Sequence, residues 1–229
     1  IDEMLGNIKP DTAPAKREMT DERRRSILRD TYSATVEVKP GDLVHAYLES
    51  RGLQERIYPK ALRFAESLRD GEGGVHPAMV AMVGVHGQPK FCSMHRTFLR
   101  RDGKGKAEIT APRKLMPGEL PDGACVMIGD YTPGSPLGIA EGIETAMSAS
   151  AMFDIPVWAA INSTLLKKWL PPAGCDDVAV FGDNDEKFGG QSAAYALAHK
   201  LGVKGVSVTV SIPRIPGHDW ADEWTAYRK

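Results

Sequence analysis

The second half of the chain alternates short apolar runs with helical patterns, and this alternation restricts the possible fold most strongly. The apolar runs cover residues 137–140, 156–161, 178–181 and 206–212. The helical patterns cover residues 142–153, 163–169, 191–201 and 220–227, with Ser163 as the predicted cap of the second. Strands that alternate with helices pair in parallel, and the helices cover both faces of the sheet. The sequence therefore predicts an α/β domain.

Acidic residues follow three of the predicted strands. Glu141 comes directly after the first strand, Asp183 and Asp185 follow the third, and Asp219 and Asp222 follow the fourth. The carboxyl ends of parallel strands share one edge of the sheet, where ligands bind in such folds. Mg²⁺ prefers oxygen ligands and is usually held by one or two carboxylates together with substrate phosphates. We therefore expect a divalent cation at this edge.

Structural roles are the alternative for some of these residues. Asp185 is equally compatible with capping the next helix, because Asp is a common turn and cap residue. Glu141 could cap the helix that begins at Ile143, with Glu144 favoured by the helix dipole. Gly182, like Gly142 after the first strand, would let a phosphate or a metal ion approach the backbone closely.

The first half of the chain predicts a smaller unit built on a β-hairpin. Residues 78–85 and 90–99 are two strand-like runs separated by a Gly- and Pro-containing turn. A short helix is predicted to begin after Thr20, a second over residues 43–50, and a short strand over residues 124–128.

We divide the chain into three parts. Residues 1–41 are predicted to form a linker, up to about residue 19, and a short helix. Residues 42–135 form an N-terminal α+β subdomain, and residues 136–229 form the parallel-sheet domain.

Charge is distributed unevenly although the net charge is only −1. Residues 90–114 contain eight Lys and Arg against two acids, whereas residues 141–229 contain eleven acids against eight Lys and Arg. This asymmetry predicts a basic patch beside an acidic site.

Several classes of protein are excluded. The three cysteines lie 33 and 50 residues apart and form no CxxC pair, so no zinc ribbon is expected within this chain. No apolar run is long enough to span a membrane, and no signal peptide begins the sequence, so we expect a cytoplasmic protein without a membrane partner. Neither a P-loop nor a dinucleotide-binding GxGxxG is present.

Two motifs together resemble a known family. They are Glu141-Gly-Ile-Glu-Thr-Ala146 and Gly182-Asp-Asn-Asp185, preceded by the segments 46–53, 95–99 and 112–115. This arrangement resembles the Toprim domain of phage- and plasmid-encoded primases and primase–helicases, over residues 42–229. The resemblance implies a Toprim-like, Rossmannoid parallel sheet with helices on both faces, preceded by a small α+β subdomain.

The resemblance also implies roles for the acids. Glu141 matches the Toprim glutamate, with an acid/base or metal-coupled role, and Asp183 and Asp185 match the metal-binding AspxAsp pair. Asp219 and Asp222 match the last acidic motif, although their Trp-Ala spacer is longer than the spacing usual in replication primases. These five residues would hold Mg²⁺ or Mn²⁺, with Glu141, Asp183 and Asp185 as the catalytic set.

Basic residues are implied as contacts to template or nucleotide phosphates. Arg96 and Lys114 match such residues in the family, and Arg100, Arg101 and Lys104 would extend their track. The implied partners are a single-stranded DNA template and nucleoside triphosphates. The family usually has a zinc ribbon and often a helicase, so we expect a fragment or a reduced relative, with a zinc-ribbon domain or a replicative helicase as a further partner outside this chain.

The function implied is that of a DNA primase catalytic core, a nucleotidyltransferase that makes short primers on single-stranded DNA. A Toprim-type nuclease or nickase is the first alternative, because the same acids and metal ions would serve hydrolysis. A non-catalytic DNA- or partner-binding Toprim module is the second.

Overall fold

The computed structural model describes residues 19–118 and 120–229. The linker predicted for the first 19 residues falls almost entirely outside this part of the chain. Within the described residues the chain forms six helices and nine strands, arranged as two separate sheets. The helices are α1 (Asp21–Ser33), α2 (Leu43–Ser50), α3 (Ile143–Phe153), α4 (Ser163–Lys168), α5 (Gly189–Gly202) and α6 (Trp220–Tyr227).

The first sheet is antiparallel and has five strands in chain order. They are β1 (Val36–Glu37), β2 (Leu62–Arg69), β3 (Val75–Val83), β4 (Ser93–Phe98) and β5 (Arg113–Leu115). The predicted hairpin is confirmed as the antiparallel pair of β3 and β4, with Ala81 opposite His95. The strand β2 was not predicted, because its mixture of basic, acidic and apolar residues masks the period of two.

The second sheet is parallel and has the strand order β7-β6-β8-β9. Its strands are β6 (Leu137–Ala140), β7 (Val157–Ala159), β8 (Asp177–Phe181) and β9 (Ser207–Ser211). Helices α3 and α6 pack together and share one core, whereas α4 and α5 pack together in the other. The predicted α/β architecture with helices on both faces of a parallel sheet is therefore confirmed.

Two local predictions were wrong. Residues 124–128 form no strand; instead Cys125 bridges to Gly84 and Val126 bridges to Ala159, so this segment connects the two sheets. Helix α4 is capped by Asn162 rather than by Ser163, because the Asn162 side chain accepts a hydrogen bond from the Leu165 backbone N–H (2.9 Å).

A single hydrophobic core joins the two sheets. Tyr47 and Met79 from the first unit pack in the same cluster as Ala140 and Phe181 from the second. The indole N–H of Trp224 in α6 also donates to the Gly52 carbonyl just beyond α2 (2.9 Å). This packing fixes the carboxyl edge of the parallel sheet against the N-terminal unit. No helix within the described ranges is long and apolar enough to cross a membrane.

Candidate active site

A cavity of about 490 Å³ lies where the parallel sheet meets the N-terminal unit. Acidic side chains from the strand ends line one side, and basic side chains from the N-terminal unit line the other. Its charged and imidazole-bearing residues are Arg51, His95, Lys106, Arg113, Glu141, Glu144, Asp183, Asp185 and Asp219. The structure thus brings four of the five predicted metal-site acids to one cavity.

Glu141 follows β6 directly and is half-buried. It does not cap α3: the cap position is Gly142, which makes no side-chain capping bond. The carboxylate is therefore free of the structural role that the sequence left open. Burial, and then the charge of Asp185, raise the pKa of Glu141 above its usual value.

The turn after β8 presents Asp183 and Asp185 to the cavity. Between them, Asn184 donates to the Pro213 carbonyl (2.8 Å) and accepts from the Gln191 side chain (2.7 Å). These bonds hold the turn between α5 and the loop that leads to α6. Asp185 also accepts a hydrogen bond from the Gly190 backbone N–H (2.7 Å), so it both supports the start of α5 and lines the cavity.

Two glycines allow α5 to pack closely against this turn. A Cβ on Gly190 would lie 2.6 Å from the Asp183 carbonyl oxygen, and a Cβ on Gly182 would lie 2.8 Å from the Ala194 Cβ. Helix α5 and the Ile212 side chain therefore approach Gly182 closely. A larger residue at either position would push the helix away from the aspartates.

The last acidic motif is divided between two roles. Asp219 and Asp222 form a capping box at the start of α6, in which each side chain accepts a hydrogen bond from the other's backbone N–H (2.9 and 3.1 Å). Asp219 lines the cavity, whereas Asp222 does not. Asp222 thus contacts Asp219 but lies outside the cavity that the other four acids line.

Mutual repulsion and burial strain the acidic side of the cavity. Burial, followed by the charges of Asp219, Glu141 and Asp185, raises the pKa of Asp183 to about 7. Burial also raises the pKa of Asp219, with the neighbouring Asp222 charge adding to the effect. The raised pKa values mean that ionisation of these carboxylates is unfavourable, and a bound cation would stabilise the ionised form.

The acidic side of this cavity has the chemistry that a divalent metal ion requires. The candidate ligand atoms for the metal are all carboxylate oxygens, and one of them, Asp183 Oδ1, is buried without a hydrogen-bond partner. Within residues 19–118 and 120–229, however, no three His, Cys, Asp or Glu side chains are already arranged to hold one ion. One or two of these carboxylates, together with substrate phosphates, would suffice to hold Mg²⁺.

The opposite side of the cavity is basic. Arg51 comes from the end of α2, Lys106 from the loop after β4, and Arg113 from β5. Beside them lies His95, whose Nδ1 is buried and has no hydrogen-bond partner. Burial, together with Arg113 and Lys106, lowers the pKa of His95 to about 4, against the opposing effect of Glu144, so the imidazole is neutral at neutral pH.

Glu144 differs from the other acids of the cavity. Its Oε1 accepts a hydrogen bond from the Tyr47 hydroxyl (2.5 Å) and lies 3.0 Å from the Lys106 ammonium. Burial alone would raise its pKa, but Lys106 and Tyr47 outweigh burial and lower the pKa of Glu144 to about 2. Glu144 is thus a satisfied, ionised carboxylate.

Arg96 and Lys114 lie on the other face of the antiparallel sheet. They are register partners on β4 and β5, and side chains alternate along a strand, so they point away from the face that holds His95 and Arg113. The Lys114 ammonium pairs with Glu72 (2.7 Å) and donates to the Asp70 carbonyl (2.8 Å). Their contacts to phosphate stay predictions, on a surface separate from the cavity.

The remaining predicted basic residues lie on an exposed loop. Arg100 pairs with Asp102 (2.7 Å) and Glu108 (3.4 Å), and Arg101 and Lys104 are exposed. None of the three basic residues lines the acidic cavity. Their role as a nucleic-acid track also stays a prediction.

The sequence predicted a basic patch beside the acids, within residues 90–114, but it did not single out the residues that form the basic side of the cavity, which are Arg51, His95, Lys106 and Arg113. The sequence does indicate that one basic residue of β5 faces each side of the sheet, because Arg113 and Lys114 are adjacent on a strand. Which of the two faces the acids depends on how the sheets pack, and the sequence does not contain that information locally.

Comparison with known proteins agrees with this geometry. Residues 136–227 match the family model of the Toprim domain. Residues 136–227 form a Toprim domain. Residues 22–127 match a family described as a domain of unknown function, DUF7146. No curated protein matches the chain.

Solved structures extend the likeness beyond the Toprim domain. A DnaG primase catalytic domain bound to ssDNA aligns with a TM-score of 0.52 and 13% identity, covering 89% of this chain and 78% of that one. The Escherichia coli primase catalytic core aligns with a TM-score of 0.50 and 14% identity, covering 81% and 68%. The Toprim domain and its N-terminal unit together thus have the fold of a Toprim primase-type core.

A DNA primase domain from Pseudomonas aeruginosa also aligns, with a TM-score of 0.45 and 12% identity. The match covers 78% of this chain and 54% of that one, so the Toprim domain and its N-terminal unit span about half the length of that relative.

Proposed function

We propose that this chain is the catalytic core of a DNA primase, which joins nucleoside triphosphates into short primers on single-stranded DNA. The observation that carries the proposal is the two-sided cavity, in which Glu141, Asp183, Asp185 and Asp219 face Arg51, Lys106 and Arg113. Acids opposite basic residues suit a metal-bound triphosphate. The likeness to primase folds, one of them bound to ssDNA, supports the same proposal.

In the proposed reaction, a 3′-hydroxyl attacks the α-phosphate of a nucleoside triphosphate, a phosphodiester bond forms, and pyrophosphate leaves. Glu141 is the proposed acceptor of the hydroxyl proton, because its raised pKa makes it a better base than an ordinary carboxylate. Asp183, Asp185 and Asp219 are the proposed holders of Mg²⁺ or Mn²⁺. When bound, the cation neutralises the phosphates and stabilises the leaving group.

The remaining residues have proposed roles in binding. The basic side of the cavity binds phosphates, while Arg96, Arg100, Arg101, Lys104 and Lys114 contact the template backbone from outside it. Such contacts are sequence-tolerant and weaken with salt. Asp222 is the weakest member of the proposed metal set, because it caps α6 and, unlike Asp219, does not line the cavity. We also propose that the protein works in the cytoplasm and that a helicase or a zinc-ribbon domain assists it.

Primer synthesis by the purified chain tests the proposal. The chain is incubated with single-stranded DNA, ribonucleotides and Mg²⁺ or Mn²⁺, and short products are resolved on a gel. We expect products from the wild type and a loss of about 100-fold or more in Glu141→Gln, which removes the proposed proton acceptor, and in Asp183→Asn, which removes a proposed cation ligand. The control is Asp177→Asn, at the exposed opposite end of β8, which should retain full activity.

Other outcomes separate the alternatives. Cleavage of DNA without nucleotides, lost in the same variants, would indicate a nuclease or nickase. DNA binding without any product, unchanged by chelator and by Asp183→Asn, would indicate a non-catalytic module.

A further inference from the structure

Three buried or half-buried side chains form a continuous chain of contacts along the basic side of the cavity. The Tyr47 hydroxyl donates to Glu144 Oε1, and the Lys106 ammonium lies 3.0 Å from the same oxygen. Tyr47 is fully buried, the Glu144 side chain is 8% exposed, and the Lys106 side chain is 25% exposed. The contacts therefore run from the core of the N-terminal unit, through α3 of the Toprim domain, to the cavity.

Glu144 is less suited than Asp183 to bind a metal ion together with the other acids. Its Oε1 already has two partners, whereas Asp183 Oδ1 is buried with none. Both carboxylates line the same cavity, but only Asp183 has a buried oxygen that still lacks a partner. Glu144 is therefore suited to hold a neighbouring cationic side chain.

Lys106 is the side chain that Glu144 holds. A lysine ammonium has three N–H donors, and in the described part of the chain its only ion pair is with Glu144. Donors therefore remain for a ligand in the cavity that Lys106 lines. A lysine side chain loses rotamer entropy when a ligand fixes it, and the contact with Glu144 already restricts Lys106 before a ligand binds.

We propose that Glu144 and Tyr47 are positioning residues that hold Lys106 to bind the triphosphate of the incoming nucleotide. The inference rests on the proposed primase function and adds a named phosphate ligand to it. The size of the cavity favours a nucleotide over a polymer, since about 490 Å³ lies within the range of small-molecule sites. The opposite side holds the acids, so one triphosphate can face both sides of the cavity.

Equilibrium binding of ATP tests the role of Lys106 without requiring catalysis. ATP with Mg²⁺ is titrated into the full chain in the absence of DNA, and adenosine is titrated as the matched ligand without phosphates. We expect Lys106→Met to weaken ATP binding on the order of tenfold or more and to leave adenosine binding unchanged, because the lost contact is charge-assisted. Lys204→Met, on an exposed turn beyond α5, is the control and should stay within twofold of the wild type.

The positioning role is tested by a double-mutant cycle. Glu144→Gln keeps the side-chain volume and removes the charge, and we expect it to weaken ATP binding in the wild type but not further in Lys106→Met. Tyr47→Phe keeps the buried ring and should show the same dependence with a smaller effect. If Glu144→Gln does not fold, as judged by circular dichroism, Tyr47→Phe provides the test.

Several results would overturn the inference. They are unchanged ATP affinity in Lys106→Met, additive effects of Lys106→Met and Glu144→Gln, and a wild type that does not bind ATP. A fourth is a loss of single-stranded DNA binding in Lys106→Met at constant ATP affinity, which would assign the lysine to the template. Absence of primer synthesis, with the ATP-binding pattern as expected, would contradict the proposed function and leave the lysine site intact.

Discussion

At the scale of single residues, the acids of the cavity divide into strained and satisfied carboxylates. Asp183 is half-buried, with a buried Oδ1 that has no hydrogen-bond partner and a pKa raised to about 7, whereas Glu144 has two partners and a pKa of about 2. Unpartnered charge of this kind lowers the stability of the fold and is often found where a ligand binds. The strain at Asp183 predicts a measurable dependence of stability on pH.

Because the folded-state pKa of Asp183 is raised, the folded chain binds a proton that the unfolded chain has released between about pH 4 and pH 7. Stability from this group is therefore lost as pH rises through that range. We expect Asp183→Asn, measured with chelator, to raise the free energy of unfolding at pH 8 by about 1 kcal/mol or more, a rise in Tm of about 2–4 °C. At pH 4 the substitution should have little effect.

Thermal unfolding of both proteins at the two pH values measures this difference. Asp177→Asn is the matched control, since it is exposed at the start of the same strand and should stay within about 0.5 kcal/mol at both pH values. Destabilisation by Asp183→Asn to the same extent at pH 4 and pH 8 would show that the aspartate is not strained.

At the scale of secondary-structure elements, β5 presents two adjacent basic residues to opposite faces. Arg113 lines the cavity, and Lys114 lies on the outer face beside Glu72. We expect Arg113→Ala to weaken binding of ATP, and Lys114→Ala to weaken binding of single-stranded DNA and to reduce its salt slope by roughly one. The measurements are ATP titration and DNA binding at several salt concentrations.

The two variants control each other, because they remove neighbouring charges from one strand. Equal effects of Arg113→Ala and Lys114→Ala on the same ligand would contradict the assignment of the two faces. An unchanged salt slope in Lys114→Ala would contradict a template contact on the outer face.

Sequence reasoning predicted the elements of the Toprim domain well, because each of its strands is a short apolar run followed by a clear helical pattern. It failed at β2, whose charged residues hide the strand, and at residues 124–128, which make only single bridges between the sheets. It also predicted that the acids share one edge, since chain order alone places them at strand ends. The partners of Glu144 could not be predicted, because Tyr47 is 97 residues away and meets it only through packing.

At the scale of the whole molecule, the site exists because two units pack against each other. The N-terminal unit supplies the basic side of the cavity, the Toprim domain supplies the acidic side, and one hydrophobic core joins them. Neither unit alone contains both sides. The division of charge in the sequence, with a basic segment before an acidic domain, thus becomes the two sides of one cavity.

All the proposed roles depend on a divalent cation bound at the acidic side of this cavity. Anomalous diffraction from crystals of the chain soaked with Mn²⁺ tests it most directly, because the signal locates the ion independently of activity. We predict a manganese peak within about 2.5 Å of oxygens from Asp183 and at least one of Glu141, Asp185 and Asp219. Manganese bound only elsewhere on the molecule, with no peak at these carboxylates, would contradict a cation site in the cavity.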